Sequence, residues 1–304
     1  MSVGYYEYDN NKITDGLIET LSHGTWTSVE APLPADAATG SQVAILQSVA
    51  CPAVGTCVAV GGYRGQNSAA PGLIEMLSNG TWTPVEASLP AGAALTQQAS
   101  INSVACSAVG TCVAAGTYVD QNNVYQSLVE TLSNGTWTAA EVPRPAGAID
   151  SKDAGLSAIS CPTADICVAT GWYNYTGNPF QASPNLIATG SDGTWLPVGA
   201  PAPANTSTDR IALNDVACPA AGSCVAAGSY NYSNPNRQGD GLLEILSHGA
   251  WAPVRIGPPS AAATSNYFRA LACPEVGMCM AAGAYHTRSG GPNQALIETT
   301  TRPS

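Results

Sequence analysis

The chain has 304 residues, 45% of them hydrophobic and only 10% charged, with 31 glycines and 22 prolines. That length supports one domain or two with a sizeable core, and few ions among many turn-formers point to short strands covered on both faces. The 21 acids against 10 bases leave a formal net charge of -11, which repels phosphate backbones and anionic lipid and so excludes nucleic acid and membrane surfaces as partners.

No apolar run reaches the roughly 18 residues of a membrane-spanning helix. Met1 is not followed by the charged and apolar regions of an export signal. The chain therefore reads as cytosolic, or as a mature protein whose signal has been removed.

In chain order, the first elements form a fragment from Gly4 to Glu30, with Tyr6 closing a G-x-Y, then a leucine-rich strand, then a strand carrying Trp26. Four complete units follow, at a period of about 55 residues. The first of them predicts strand A at Leu46–Cys51, strand B at Cys57–Tyr63, strand C at Gly72–Ser78 and, after an Asn-Gly turn, strand D at Thr81–Glu86. The repeated units share its markers: Trp82, Trp137, Trp195 and Trp251 in strand D, and Tyr63, Tyr118, Tyr173, Tyr230 and Tyr285 ending strand B. A closing fragment runs from Phe268 to Thr300 and supplies strands A to C.

Strands A and B are apolar at nearly every position, as expected of sheets sandwiched between other sheets. Four-stranded repeats of this kind stack radially, so the expected fold is an all-β propeller. We expect a single domain over 1–304, with the fragments 1–30 and 268–300 closing the ring. Five blades result if Thr25–Glu30 completes the last unit and leaves a spare hairpin at Ser2–Leu21. Six result if each fragment is a blade lacking one strand. Five is preferred, because a missing inner strand would leave backbone groups unpaired.

Each unit carries C-x5-C across its A–B hairpin: Cys51 with Cys57, Cys106 with Cys112, Cys161 with Cys167, Cys218 with Cys224, and Cys273 with Cys279. Opposed residues of a hairpin sit close enough for a disulfide, whereas two cysteines are too few for a zinc site. Five bridges imply an oxidising compartment, hence a secreted or cell-surface protein with no metal or other cofactor.

The segments "VAVGGY", "GLIEMLSNGTWTPVEASLP" and "AAGTY…SLVETLSNGTW" resemble a family of secreted bacterial propeller repeats, with a consensus near VAVGYY…TLIE…NGTSW…VPSP along the whole chain. The resemblance implies the propeller fold and export, and it names no activity. The S-N-G-T-W turn is also similar to the Asp-box of sialidase-like propellers, although only Ser191-Asp192-Gly193 keeps an acid.

Functional candidates come from where the units differ. Strand C carries Glu19, Glu75, Glu130, Glu244 and Glu298, but near-identical copies are unlike the two differentiated carboxylates of a glycosidase, so these read as structural acids bonding a neighbouring loop. His23 and His248 share a turn position with Asn79 and Asn134, a matter of turn geometry, and His286 lies alone in a B–C loop. The B–C loops are the most varied segments and are rich in Asn, Gln, Tyr and Arg, which suit hydroxyl pairs and ring stacking. Two Y-N-Y clusters stand out there, giving Asn174, Tyr175, Asn231 and Tyr232 as ligand-binding candidates, with Trp172 replacing the small middle residue of G-x-Y. A second varied ring, four residues before each first cysteine, holds Gln47, Asn102, Ser157, Asn214 and Arg269. Asn214 joins the binding candidates, and Asp215 with Arg269 are the candidates for catalysis.

The expected function is a secreted, lectin-like module recognising glycan or cell-surface material, or a protein ligand, on the B–C loop face. A protein-interaction scaffold and a glycan hydrolase or lyase are the alternatives.

Overall fold

The computed structural model describes residues 1–8, 13–39, 42–146, 148, 153–173, 185–204, 211–231, 239–260, 263–287 and 293–301. The chain divides into two compact units, Met1–Val142 and Pro143–Ser304. In the first, β1 (Ser2–Tyr8), β2 (Ile13–Ser22) and β3 (Thr25–Glu30) form a three-stranded antiparallel sheet. Two four-stranded sheets follow: β4 (Ala44–Ala53), β5 (Thr56–Tyr63), β6 (Gly72–Ser78), β7 (Thr81–Glu86), then β8 (Ala99–Ala108), β9 (Thr111–Val119), β10 (Tyr125–Ser133), β11 (Thr136–Glu141).

The second unit begins with two four-stranded sheets. The first is β12 (Ala154–Ser160), β13 (Ile166–Tyr173), β14 (Asn185–Ser191), β15 (Thr194–Gly199), and the next is β16 (Ile211–Ala220), β17 (Ser223–Tyr230), β18 (Asp240–Ser247), β19 (Ala250–Ile256). Its last sheet has three strands, β20 (Ala263–Glu275), β21 (Met278–Thr287) and β22 (Gln294–Thr301). Among the described residues there is no α-helix, and no helix is long and apolar enough to cross a membrane.

Among the described residues the sheets number six, the second of the two expected counts. Thr25–Glu30 pairs along β2 from Leu17↔Glu30 to Ser22↔Thr25, so Ser2–Leu21 is no spare hairpin but the first two strands of that sheet. The cause is local. His23 and Gly24 both have positive φ, 49° and 80°, the geometry of a two-residue turn that returns the chain directly onto its neighbour. The same pair of left-handed residues recurs at Asn79-Gly80, Asn134-Gly135, Asp192-Gly193 and His248-Gly249.

All five A-type strands share a bulge at one equivalent position. Register slips between Leu46 and Ser48, Ile101 and Ser103, Leu156 and Ala158, Leu213 and Asp215, and Phe268 and Ala270. The bulged residues are thus the varied set Gln47, Asn102, Ser157, Asn214 and Arg269. Facing each bulge is the glycine of G-x-Y: Gly61, Gly116, Gly171, Gly228 or Gly283. A Cβ there would stand 1.8 to 2.1 Å from a carbonyl oxygen of the bulged strand, so only glycine admits the close approach.

Successive sheets pack face to face through apolar side chains. Ile18, Ala44, Leu46 and Leu73 join the first sheet to the second, and Val60, Ile74, Ile101 and Leu128 join the second to the third. In the second unit Ile187, Ile211 and Leu242 pack together, as do Leu243, Phe268 and Leu296. Fully burying one such side chain contributes about 1.5–3 kcal/mol.

All ten cysteines pair within their own hairpins, as the spacing predicts. Cys51 is bonded to Cys57 and Cys106 to Cys112 in the first unit. Cys161 is bonded to Cys167, Cys218 to Cys224 and Cys273 to Cys279 in the second. The paired Cα atoms stand 4.0 to 4.1 Å apart, and no cysteine is left free. Cys57, Cys112, Cys167, Cys224 and Cys279, at the start of the B-type strands, are also buried. Bridges of this kind belong to proteins that mature in an oxidising compartment.

Candidate functional site

In the second and third sheets the loop after the B-type strand meets the loop entering the same sheet. Isolated bridges Ala37↔Gly65 and Ala93↔Asp120 tie them together in the first unit. Each unit has a cleft running from the end of a B-type strand to the start of the next sheet. The cleft of the second unit has a volume of about 540 Å³, and that of the first about 900 Å³.

The cleft of the second unit is lined by Ser229 and Asn231 from one sheet and by Thr264, Ser265, Tyr267 and His286 from the next. Its centre is aromatic. Tyr267 pairs with Ala284, and His286 pairs with Ser265, so Tyr267 and His286 are diagonal neighbours on one face, their ring centroids 6.1 Å apart and tilted by 41°. The small side chain of Ala284 leaves room for the tyrosine ring. From the bulge, the Arg269 guanidinium carbon lies 5.2 Å from the centroid of Tyr267, within cation–π range. Asn293 Nδ2 donates to the Tyr267 hydroxyl at 3.4 Å.

The strand bearing Tyr267 is fixed from behind. Buried Asn266 accepts a hydrogen bond from the Gly241 amide at 3.0 Å and donates to the Ile256 carbonyl at 3.2 Å. At the opposite wall Gly239 lies so close to Tyr230 and Asn231 that a Cβ would stand 2.2 Å from the Tyr230 carbonyl oxygen and 2.5 Å from Asn231 Oδ1. The cleft thus offers a half-exposed phenol ring, an imidazole and an amide, with the Arg269 guanidinium within cation–π range of the phenol.

The structure distributes the other candidates as follows. Asn231 is exposed and lines this cleft. Trp172 is half-buried in β13, paired with Gly155 and Asn185. Its equivalents Gly62 and Ser229 line the two clefts, which puts Trp172 at the corresponding place in its own sheet. Asn174, Tyr175 and Tyr232 lie outside the described residues.

Asn214 and Asp215 bind the neighbouring strand. Asn214 Nδ2 donates to the Phe268 carbonyl at 2.6 Å, and the Asp215 carboxylate accepts the Val216 amide at 2.8 Å and the Leu271 amide at 2.7 Å. Burial pushes the Asp215 carboxyl up, and the two backbone amides pull it back. The equivalent Ser48 makes the same strut, its Oγ accepting the Val104 amide at 3.2 Å.

The strand C acids behave differently again. Glu75, Glu130 and Glu244 are completely buried, and among the described residues the carboxylate oxygens of Glu75 and Glu244 have no hydrogen-bond partner. Burial raises all three from 4.5 to about 8, and the nearby Ser88 amide opposes this only at Glu130. The expected loop bond is therefore not made by Glu75 or Glu244. Glu19, partly exposed in the first sheet, instead accepts from Ser28 Oγ at 3.2 Å.

Sequence reasoning passed over Tyr267 and treated His286 as isolated. A signal for Tyr267 was present: the equivalent positions hold Ile45, Ser100, Gly155 and Ala212, so an aromatic there is peculiar to the last sheet. No such signal existed for the His286 contact, which depends on strand register.

No family model matches the chain, and no curated protein matches it. Among solved structures, it is similar to a protein of unknown function from Dyadobacter fermentans DSM 18053, at 11% identity over 95% of this chain and 84% of that one, with a TM-score of 0.53. It is also similar to the sialidase of Trypanosoma rangeli, at 13% identity over 99% of this chain and 52% of that one, with a TM-score of 0.50. The chain thus spans about half the length of that sialidase. At such identities the likeness establishes the fold alone, and with the repeated antiparallel sheets it defines an all-β propeller.

Proposed function

We propose that this protein is a secreted β-propeller, one domain over 1–304, that binds carbohydrate through clefts on its loop face. The reading also takes it as one of the secreted bacterial repeat proteins that its G-x-Y and N-G-T-W motifs resemble. The observation that carries it is the Tyr267 ring, 5.2 Å from the Arg269 guanidinium carbon and 6.1 Å from the His286 ring, in a cleft that Asn231 also lines. A flat ring offers a stacking surface to the apolar face of a sugar, worth about 1 kcal/mol beyond buried area. Amide, imidazole and guanidinium groups then serve the equatorial hydroxyls. On this reading Trp172, Asn174, Tyr175 and Tyr232 would add further stacking and amide groups.

Binding is preferred over hydrolysis for two reasons. Glycoside hydrolysis needs two accessible carboxyl groups in different environments, whereas Glu75, Glu130 and Glu244 are sealed in the core and Asp215 is held by two backbone amides. The neighbouring sialidase's chemistry is therefore not carried over, and Arg269 is assigned to ligand contact.

A glycan array probed with the full chain and with Tyr267→Ala and His286→Ala tests this. The wild type is expected to retain a defined set of neutral glycans, the tyrosine variant to lose retention at least tenfold, and both to keep the wild-type melting temperature. An array silent for the wild type, or equal for the variant, overturns it.

A further inference from the structure

The larger cleft, in the first unit, is chemically unlike the one just described. It is lined by Gln47, Arg64, Gln66, Asn67, Ser68 and Ser100 among small apolar residues, and the one aromatic among the described residues lining it is Tyr63, which is buried. No carboxylate is among the described residues that line it, although the chain has 21 acids and 10 bases. On the entering loop, Asp36 Oδ1 accepts a hydrogen bond from the Tyr63 hydroxyl at 2.9 Å. The described lining residues thus combine one cation, Arg64, with several amides and hydroxyls.

The walls are rigid. The Ala38 amide donates to the Arg64 carbonyl at 2.9 Å, the Arg64 amide to the Val43 carbonyl at 2.7 Å, and the Gln66 amide to the Asp36 carbonyl at 2.9 Å. The loop then turns through two consecutive left-handed residues, Asn67 at φ 54° and Ser68 at φ 65°. Non-glycine residues rarely adopt that region, and where they do, the strain commonly accompanies a recognition surface. Arg64, Gln66, Asn67 and Ser68 are all exposed, so the turn presents polar side chains to the cleft mouth. A volume near 900 Å³ lies within the range of small-molecule sites and admits about two sugar rings.

We propose that this cleft is a second ligand site, specific for an acidic sugar, with Arg64 pairing the carboxylate of a hexuronate and Gln47, Asn67 and Ser100 meeting its hydroxyls. It rests on the reading of the loop face as a carbohydrate surface, but it uses other residues and another ligand class. Arginine is suited to the role because its planar fork matches a carboxylate with two parallel hydrogen bonds. A net charge of -11 works against non-specific attraction of a polyanion, so any affinity for one must come from a local site.

The test is titration of the full chain with polygalacturonate and with a neutral galactan. Wild type is expected to bind polygalacturonate; Arg64→Gln is expected to weaken this at least tenfold, Gln47→Ala severalfold, and Arg64→Lys to restore it in part. Tyr267→Ala should bind polygalacturonate as wild type does. Arg64-dependent binding of polygalacturonate supports the site even if the neutral array is silent, in which case only the Tyr267 reading falls. No binding of polygalacturonate, or binding indifferent to both Arg64→Gln and Gln47→Ala, overturns this proposal while leaving the neutral site standing.

Discussion

A tyrosine draws the eye in each G-x-Y, yet the glycine two residues before it bears the geometric constraint. At Gly61, Gly116, Gly171, Gly228 and Gly283 the bulge opposite drives a carbonyl oxygen into the space a side chain would fill, whereas Gly4 has no such neighbour. A methyl group at Gly116 or Gly228 cannot be absorbed by a rotamer change, because the obstacle is backbone. Gly116→Ala and Gly228→Ala are therefore expected to cost more than about 3 kcal/mol in urea denaturation, within the range of a backbone forced apart. Gly80→Ala, at a left-handed turn with nothing near its Cβ, should cost about 1 kcal/mol, as a strained turn residue does. Equal losses at the two kinds of site would refute the bulge argument. The turn pairs were legible in sequence, since His, Asn and Asp interchange before an invariant glycine within the chain itself. The bulges were not, because one extra residue leaves an unbroken apolar strand looking unbroken. The varied ring was visible as a set of unlike residues, and its cause emerged only with the register.

At the scale of elements, the first sheet is the instructive case. Its outer strand β3 is joined to β2 by the same two-residue turn found in four other sheets, and such a turn leaves no length for β3 to pair elsewhere. The five-blade reading overlooked that constraint, although the residues that impose it, Ser22-His23-Gly24-Thr25, are plain in the sequence. The pairing also places Ile18 fully inside the core with Ala44 and Leu46. Ile18→Ala is expected to lower stability by about 2–5 kcal/mol, the usual loss for a large buried aliphatic. Deleting 2–21 should do more: it removes Ile18 and leaves β3 without its partner, so the midpoint of denaturation should fall well below that of the point variant. A deletion variant that unfolds at the wild-type midpoint would show the hairpin to be dispensable after all.

At the scale of the whole molecule, the repeat, the hairpin disulfides and the all-β class could be read from periodicity alone, because they follow from spacing. The state of the strand C glutamates could not, since a carboxylate at the same repeat position is partly exposed in the first sheet and sealed in the second, third and fifth. Their burial makes stability depend on pH in a definite direction. In the folded protein Glu75, Glu130 and Glu244 hold their protons up to about pH 8, against 4.5 for an ordinary glutamate. Between those values the folded state binds more protons than the unfolded chain, so raising the pH favours unfolding. The contribution is whole below about pH 4.5, declines as pH rises, and is lost once pH passes 8. Melting temperature is therefore expected to fall by several degrees or more between about pH 5 and pH 8. The triple variant with Glu75→Gln, Glu130→Gln and Glu244→Gln mimics the protonated side chains and leaves the folded charge in that window unchanged, so its melting temperature should vary far less. Self-repulsion among the remaining acids acts on both proteins alike. Parallel melting curves for the two across this range would mean that the buried glutamates are already charged at neutral pH, or that the unfolded chain keeps them equally protonated.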